Sequence, residues 1–168
     1  ISWGYEVKLP RGFNYAQANK KIKKSAAAWT SLGVRRVRNQ PMPAHADGYI
    51  YAPAGARGPA FLMTKNFEVI MRYNPAEAYA LAIGHLADRI RGGGPFEGDW
   101  PRGEQVLSRA ERVELQERLS AIGLYNGAPD GKFDEETKAA LVAYQRRAGI
   151  TPDAFATVAV LERLRQGR

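Results

Sequence analysis

Two phenols and an amide, Tyr73, Asn74 and Tyr79, crowd into seven positions where the apolar run Phe67-Glu68-Val69-Ile70-Met71 gives way to Arg72-Tyr73-Asn74-Pro75. Such a cluster can pack into a core or form the lip of a ligand site, and the three residues alone leave both readings open. Other chemistry is thin. The two histidines, His45 and His85, stand in a Pro/Ala loop and in mid-helix with no ligand spacing between them, so neither a metal site nor a histidine-based triad is expected. The stretch GGGPFEG (92–98) lacks the Gly-Lys-Ser/Thr ending and the preceding strand of a phosphate loop. DGKFDEE (130–136) is acidic but lacks the twelve-residue ligand spacing of a calcium loop. With no cysteine, thiolate chemistry, disulfides and Cys-based metal sites are excluded together.

The elements that must position Tyr73, Asn74 and Tyr79 read as mixed α and β. WGYEVKLP (3–10) has strand composition and ends at proline. A helix is expected around Ser25 to Leu32, stopped by Gly33. DGYIYAP (47–53) and GPAFLMTKNFEVIMRY (58–73) are expected to supply two or three further strands, with Lys65-Asn66 as a hairpin tip. Asn74 then reads as the N-cap of a helix, with Pro75 at its first position and Glu77 three residues after the cap. Tyr79, Ile83, Leu86 and Ile90 recur at helical spacing as its expected buried stripe.

Between Ile90 and Glu104 the chain is dense in glycine and proline, which marks a domain boundary near residue 105, and Trp100 suggests a linker pinned against a domain. Beyond it the pattern is helical. Ser108 and Glu111 form a capping box before the stripe Val113, Leu115, Leu119 and Ile122, and Gly123 ends that helix. Asp134 caps a second helix that stops at Gly149, and a third is expected over roughly Phe155 to Leu164. The fold class is therefore α+β: a small antiparallel sheet with flanking helices over 1–104, followed by a three-helix bundle over 105–168.

At 168 residues, 45% hydrophobic and 25% charged, the composition is that of a globular protein. No stretch approaches the ~20 apolar residues a membrane helix needs. Beginning at Ile1 rather than Met, the chain reads as a processed protein or a piece of a longer one. The formal charge of +8 is uneven: residues 1–107 hold 15 Lys+Arg against 8 Asp+Glu, whereas residues 108–168 hold 10 against 9. The excess gathers at Lys20, Lys21, Lys23 and Lys24 and at Arg35, Arg36 and Arg38, patches that attract polyanions. These patches lack interleaved aromatics and no nucleic-acid motif accompanies them, so nucleic acid is not the expected partner.

The second half resembles the peptidoglycan-binding domain of bacterial wall enzymes. The resemblance runs through Leu115-Gln116, Leu119, Gly123-Leu124-Tyr125, Gly127, Asp130-Gly131, Phe133, Thr137, Ala140-Leu141, Tyr144-Gln145 and Gly149-Ile150. It singles out Asp130, Gly131, Thr137 and Gln145 as residues of a peptidoglycan-binding module. One departure is Asp153-Ala154, where the family usually repeats Asp-Gly. The first half is similar to the C-terminal part of the catalytic domain of B-type lytic murein transglycosylases. That likeness is carried by WGYEVKLPRGFNY (3–15), WTSLGVRRV (29–37), residues 56–90 and WPR (100–102). In that family a tyrosine-asparagine pair and a later tyrosine line the sugar-binding groove, which implies a substrate role for Tyr73, Asn74 and Tyr79. Ring faces would pack on sugar C–H faces, while the amide and hydroxyls bond N-acetyl and hydroxyl groups.

The same resemblance implies non-hydrolytic cleavage of the glycan strand to 1,6-anhydro products by one glutamate, acting first as acid and then as base. That glutamate lies in a Glu-Ser-x-Phe-Gly-like segment, and no such segment occurs here. Glu68, expected to face outward on a strand, and Glu77, at a helix start, lack its context. No catalytic residue is therefore assigned, no cofactor or metal is expected, and the chain alone is expected to be inactive. The expected partners are peptidoglycan glycan strands and an upstream helical lobe of the same protein, in the periplasm or cell envelope. The alternative is a non-catalytic wall-binding protein.

Overall fold

The computed structural model describes residues 2–167. Two compact units part between Trp100 and Pro101, with the short Asn14–Ala16 segment grouped with the second.

The first unit is built on β1 (Gly4–Lys8), β2 (Arg35–Arg36), β3 (Gly48–Tyr51) and β4 (Ala60–Thr64), an antiparallel sheet in the order β2-β1-β4-β3. Registers such as Tyr5 opposite Leu62 and Ile50 opposite Leu62 place β4 in the centre. Every β4 residue is buried, because both faces of the sheet are covered. Its even positions, Ala60 and Leu62, join Val7, Ile50, Val34 and Trp29 on the side of α1 (Ala26–Ser31). Its odd positions, Phe61 and Met63, join Trp3, Tyr49 and Phe67 beneath α2 (Lys65–Tyr73) and α3 (Glu77–Ile90). Ser25 caps α1 through the Ala28 N–H, as its position before the alanine run suggests.

Three expectations are corrected here. Residues 65–73 form helix α2, not a strand, and Lys65-Asn66 is its first turn rather than a hairpin tip. The β-branched pair Val69-Ile70 favours a strand, but Phe67, Ile70 and Met71 sit at helical spacing and pack on one side, and Thr64 caps the helix by accepting from the Asn66 N–H at 3.3 Å. Asn74 is the C-cap of α2, not the N-cap of α3. Pro75 disfavours helical backbone at the residue before it, and Asn74 is extended with φ −142° and ψ 117°. Its side chain accepts from the Ala76 N–H at 3.0 Å, turning the chain between the helices.

The third correction concerns α3. Its buried side is Ala80, Leu81 and Gly84, whereas Tyr79, Ile83, Leu86 and Ile90 face outward. Small residues win the inner side because the helix lies directly on the Trp3 indole: a Cβ at residue 84 would stand 2.7–2.9 Å from three ring atoms. One turn later Asp88 Oδ2 accepts from Trp3 Nε1 at 2.7 Å. The linker is pinned as expected, but by Phe96 rather than Trp100, which is 43% exposed. Phe96 stacks on His85 at 3.8 Å and meets Phe61 edge-on, and the Glu6 carboxylate accepts from the N–H groups of Glu97 and Gly98.

The second unit packs α4 (Arg109–Ala121), α5 (Glu135–Arg147) and α6 (Val158–Arg165) around Leu115, Leu119, Leu141, Tyr144 and Leu161. The capping box at Ser108 and Glu111 forms, and Asp134 caps α5. The last helix opens at Val158 under a Thr157 cap, three residues later than expected, because Val158 N–H first bonds Gln105 carbonyl at 2.9 Å. Among the described residues no helix is long and apolar enough to cross a membrane.

Gly84→Ala gains helix propensity of about 1 kcal/mol yet drives a methyl into a fixed ring, so it is expected to destabilise the first unit by about 1–3 kcal/mol. Urea unfolding followed by tryptophan fluorescence measures it; an unchanged midpoint would show that α3 can lift off Trp3 without cost.

Candidate functional site

The α2–α3 corner carries the three residues singled out in the sequence. Tyr73 ends α2 and is 86% exposed, Asn74 is half-buried at the turn, and Tyr79 stands in the first turn of α3 at 39% exposure. None of them belongs to the core of the unit. A rim of phenol faces beside a turn amide is suited to a carbohydrate, whose C–H faces need aromatic contact and whose hydroxyls need polar partners.

Beside this corner lies a cavity of about 310 Å³ lined by Lys20, Tyr49, Glu68, Met71 and Arg72. Here Glu68 stands on the cavity side of a helix rather than outward on a strand, and it pairs with Lys23 at 2.5 Å. Glu77 opens α3 and accepts from the Tyr49 hydroxyl at 3.4 Å. Burial first, and then the Glu77 carboxylate, push the Tyr49 phenol up, and the same two causes raise Tyr51. Both phenols therefore stay protonated donors through the physiological range. Sequence reasoning passed over Tyr49 and Arg72; the aromatic run GYIY (48–51) reads as strand and not as site.

A glycosidic acid catalyst needs a carboxyl held above its ordinary range. The carboxyls with displaced titration go the other way. Lys8 and Arg38 hold Glu97 low, the Ser108 N–H and hydroxyl hold Glu111 low, and the Lys132 N–H holds Asp130 low. Arg165 and Arg118 draw Glu114 down to about 2. Among the described residues no group of three His, Cys, Asp or Glu could hold a metal.

In the second unit the motif residues gather around two buried glutamines. Gln116 donates through Nε2 to Thr137 Oγ1 at 3.0 Å and to the Lys132 carbonyl at 2.9 Å, and its Oε1 accepts from the Gly131 N–H at 2.8 Å. Thr137, fully buried, donates to Asp134 Oδ1 at 2.8 Å. Asp130 is exposed and accepts from the Lys132 N–H at 2.8 Å. Gln145 repeats the arrangement: Nε2 donates to Asp153 Oδ1 at 3.1 Å and Oε1 accepts from the Ala154 N–H at 2.9 Å. Each glutamine thus fastens the N–H that follows an aspartate, with backbone in the left-handed region, φ 74° at Gly131 and 58° at Ala154. The departure from Asp-Gly keeps the glycine-type backbone despite a Cβ. Gln116 was not singled out beforehand, although its burial and three-way bonding make it the centre of the first network.

Residues 1–88 match the Transglycosylase SLT domain family and residues 108–164 match a peptidoglycan binding domain family. Crystal structures of SltB3 from Pseudomonas aeruginosa in complex with NAG-anhNAM-pentapeptide and with NAG-NAM-pentapeptide are similar to the chain. Each superposes with TM-score 0.93 at 43% identity, covering 98% of this chain and 45% of SltB3. The chain thus spans less than half the length of that relative. No curated protein matches.

A non-glycine residue in the left-handed region costs about 1–2 kcal/mol, offset in part by the lower entropy of its unfolded state. Ala154→Gly is therefore expected to stabilise the second unit by about 0.5–1 kcal/mol, read from the urea midpoint; a loss of stability would show that the Ala154 methyl contributes packing that outweighs its strain.

Proposed function

From the chain's membership of the transglycosylase SLT domain family, with a peptidoglycan binding domain behind it, we propose that it is the substrate-holding rear part of a lytic murein transglycosylase. The α2–α3 corner, with Tyr73, Asn74 and Tyr79, holds the glycan strand; the second unit, through Asp130 and the turns that Gly131, Thr137 and Gln145 build, holds the wall. The observation that carries this reading is the exposure of Tyr73 at 86%, on the corner to which the resemblance assigns the sugar. A buried tyrosine there would have spoken for packing.

The cleaving glutamate belongs, on this reading, to a helical lobe outside these 168 residues. It protonates the glycosidic oxygen, then takes the proton of the sugar's own hydroxyl, which closes the 1,6-anhydro ring in place of water. Two things support a lobe of this kind. The matched relative SltB3 is more than twice as long as this chain. The outward side of α2 and α3 presents Val69, Ile83, Leu86 and Ile90, the last 78% exposed, an apolar stripe suited to packing against further helices. Glycan strands are the partner, the cell envelope is the location, and the 168 residues alone do not cleave.

Co-sedimentation with insoluble peptidoglycan tests the reading. Binding is expected to persist at 1 M salt, where charges farther apart than about 3 Å are screened. Tyr73→Ala is expected to weaken binding of soluble glycan strands about three- to tenfold, with stability unchanged within about 0.5 kcal/mol. No anhydro-muropeptide should appear by mass spectrometry. Binding that vanishes in step with salt, or anhydro products released by this chain alone, would contradict it.

A further inference from the structure

A second concavity of the first unit lies at the far end of α3, about 18 Å of helix from Tyr79 to Arg91 at 1.5 Å per residue. Its volume is about 380 Å³, and its lining includes Tyr5, Arg36, Arg38, His85, Arg91 and Phe96. That volume lies in the range of small-ligand sites.

The charges around it are unequally satisfied. Of the acids on its wall, Glu6 is engaged by the N–H groups of Glu97 and Gly98 at 2.7–3.0 Å, and Asp88 by Trp3 Nε1 at 2.7 Å. Arg38 is held by the Pro95 carbonyl at 3.0 Å and stands 3.9 Å from Glu97. Arg36 and Arg91 have no ion-pair partner among the described residues. Arg36 is half-buried over the Tyr5 ring at 4.8 Å, donates from Nη1 to the Pro41 carbonyl at 3.2 Å, and leaves its Nε buried without a hydrogen-bond partner. A buried guanidinium donor left unmet costs free energy, and an acceptor in the cleft meets it once the guanidinium shifts toward the opening. The backbone beside it is strained as well, with non-glycine residues Arg38 and Asn39 both left-handed at φ 57° and 52°. The same lining holds His85 and Phe96, whose rings stack at 3.8 Å.

Two cations lacking a counter-ion, Arg36 half-buried and Arg91 exposed, beside a pair of stacked rings describe a site for a small carboxylate carried on an organic chain. We propose that this cleft binds a carboxylate of a peptide attached to the glycan, with Arg36 and Arg91 on the anion and the His85–Phe96 stack under the adjoining peptide. The proposal rests on the reading of the chain as a peptidoglycan binder, since a glycan-linked pentapeptide ends in a carboxylate. It adds a peptide subsite to the sugar corner at the other end of α3.

Amide chemical shifts of the full chain test it with four separate probes. A free stem-type pentapeptide is expected to shift the amides of Arg36, Arg38 and Arg91 to Gly94. The same peptide with its carboxyls amidated is expected to leave them in place, and R91Q is expected to weaken the carboxylate form about tenfold, the loss of one charge-assisted contact. No shift at these amides, equal shifts from the amidated peptide, or unaltered affinity in R91Q would overturn the proposal. Inorganic phosphate binding as tightly as the peptide would overturn it too, reducing the cleft to a general anion site. The fourth probe, peptide-free NAG-NAM oligomer, reports on Tyr73 and Tyr79 alone. Its failure would count against the glycan reading, while the free-peptide result still decides the cleft.

Discussion

Helix α3 can lie on the sheet only because residue 84 has no side chain. Trp3 fills the space a Cβ would need, and its indole nitrogen is bonded to Asp88 four residues further along the same helix face. The Trp3 backbone meanwhile pairs with β4, its carbonyl accepting from the Thr64 N–H at 3.1 Å. One residue thus ties the sheet, the start of α2 through Thr64, and the middle of α3 together. A mid-helix glycine costs about 1 kcal/mol relative to alanine, and the close approach it permits brings Ala80, Leu81 and the Trp3–Phe61–Phe67 cluster into one core. With that side of α3 committed inward, Tyr79 and the Ile83–Leu86–Ile90 stripe must point out. The outward Tyr79 and the apolar stripe follow from one packing choice.

The second unit reaches its shape differently, through buried amides rather than a large aromatic. Gln116 and Gln145 are buried, and each satisfies a backbone N–H that the left-handed turn would otherwise leave unmet. A buried side-chain amide is stable only when its donors and acceptor all find partners, so these glutamines specify the turns rather than merely fill space. Thr137 and Gln145 hold those turns from within, whereas Asp130 stands at the surface.

Much of this was legible in the sequence. The strand composition of β1 and β3, the capping box at Ser108 and Glu111, and the Asp134 cap are local signals whose physics is complete within a few residues, and each element formed. The errors arose where two local rules compete. Asn74-Pro75 reads equally as cap-then-N1 or as the extended residue that must precede proline, and only the packing of Phe67, Ile70 and Met71 decides for the second. The α3 stripe misled because helical spacing of large apolar residues marks a face without saying what covers it. Its small-residue face, Ala80 and Gly84, is the one the sheet chose. Of the basic cleft only one side was legible, the cluster at Arg35, Arg36 and Arg38, because Arg91 is far away in sequence and only the fold sets it in the same lining.

The central claim is that the α2–α3 corner, and not only the wall-binding bundle, holds glycan. Hydrogen–deuterium exchange of the chain with and without soluble glycan strands addresses it directly. Slowed exchange at amides between Tyr73 and Ala80, alongside any change in residues 108–164, is the result expected. Protection confined to residues 108–164, with the corner exchanging as fast as in the free chain, would contradict the account and leave the first unit a scaffold.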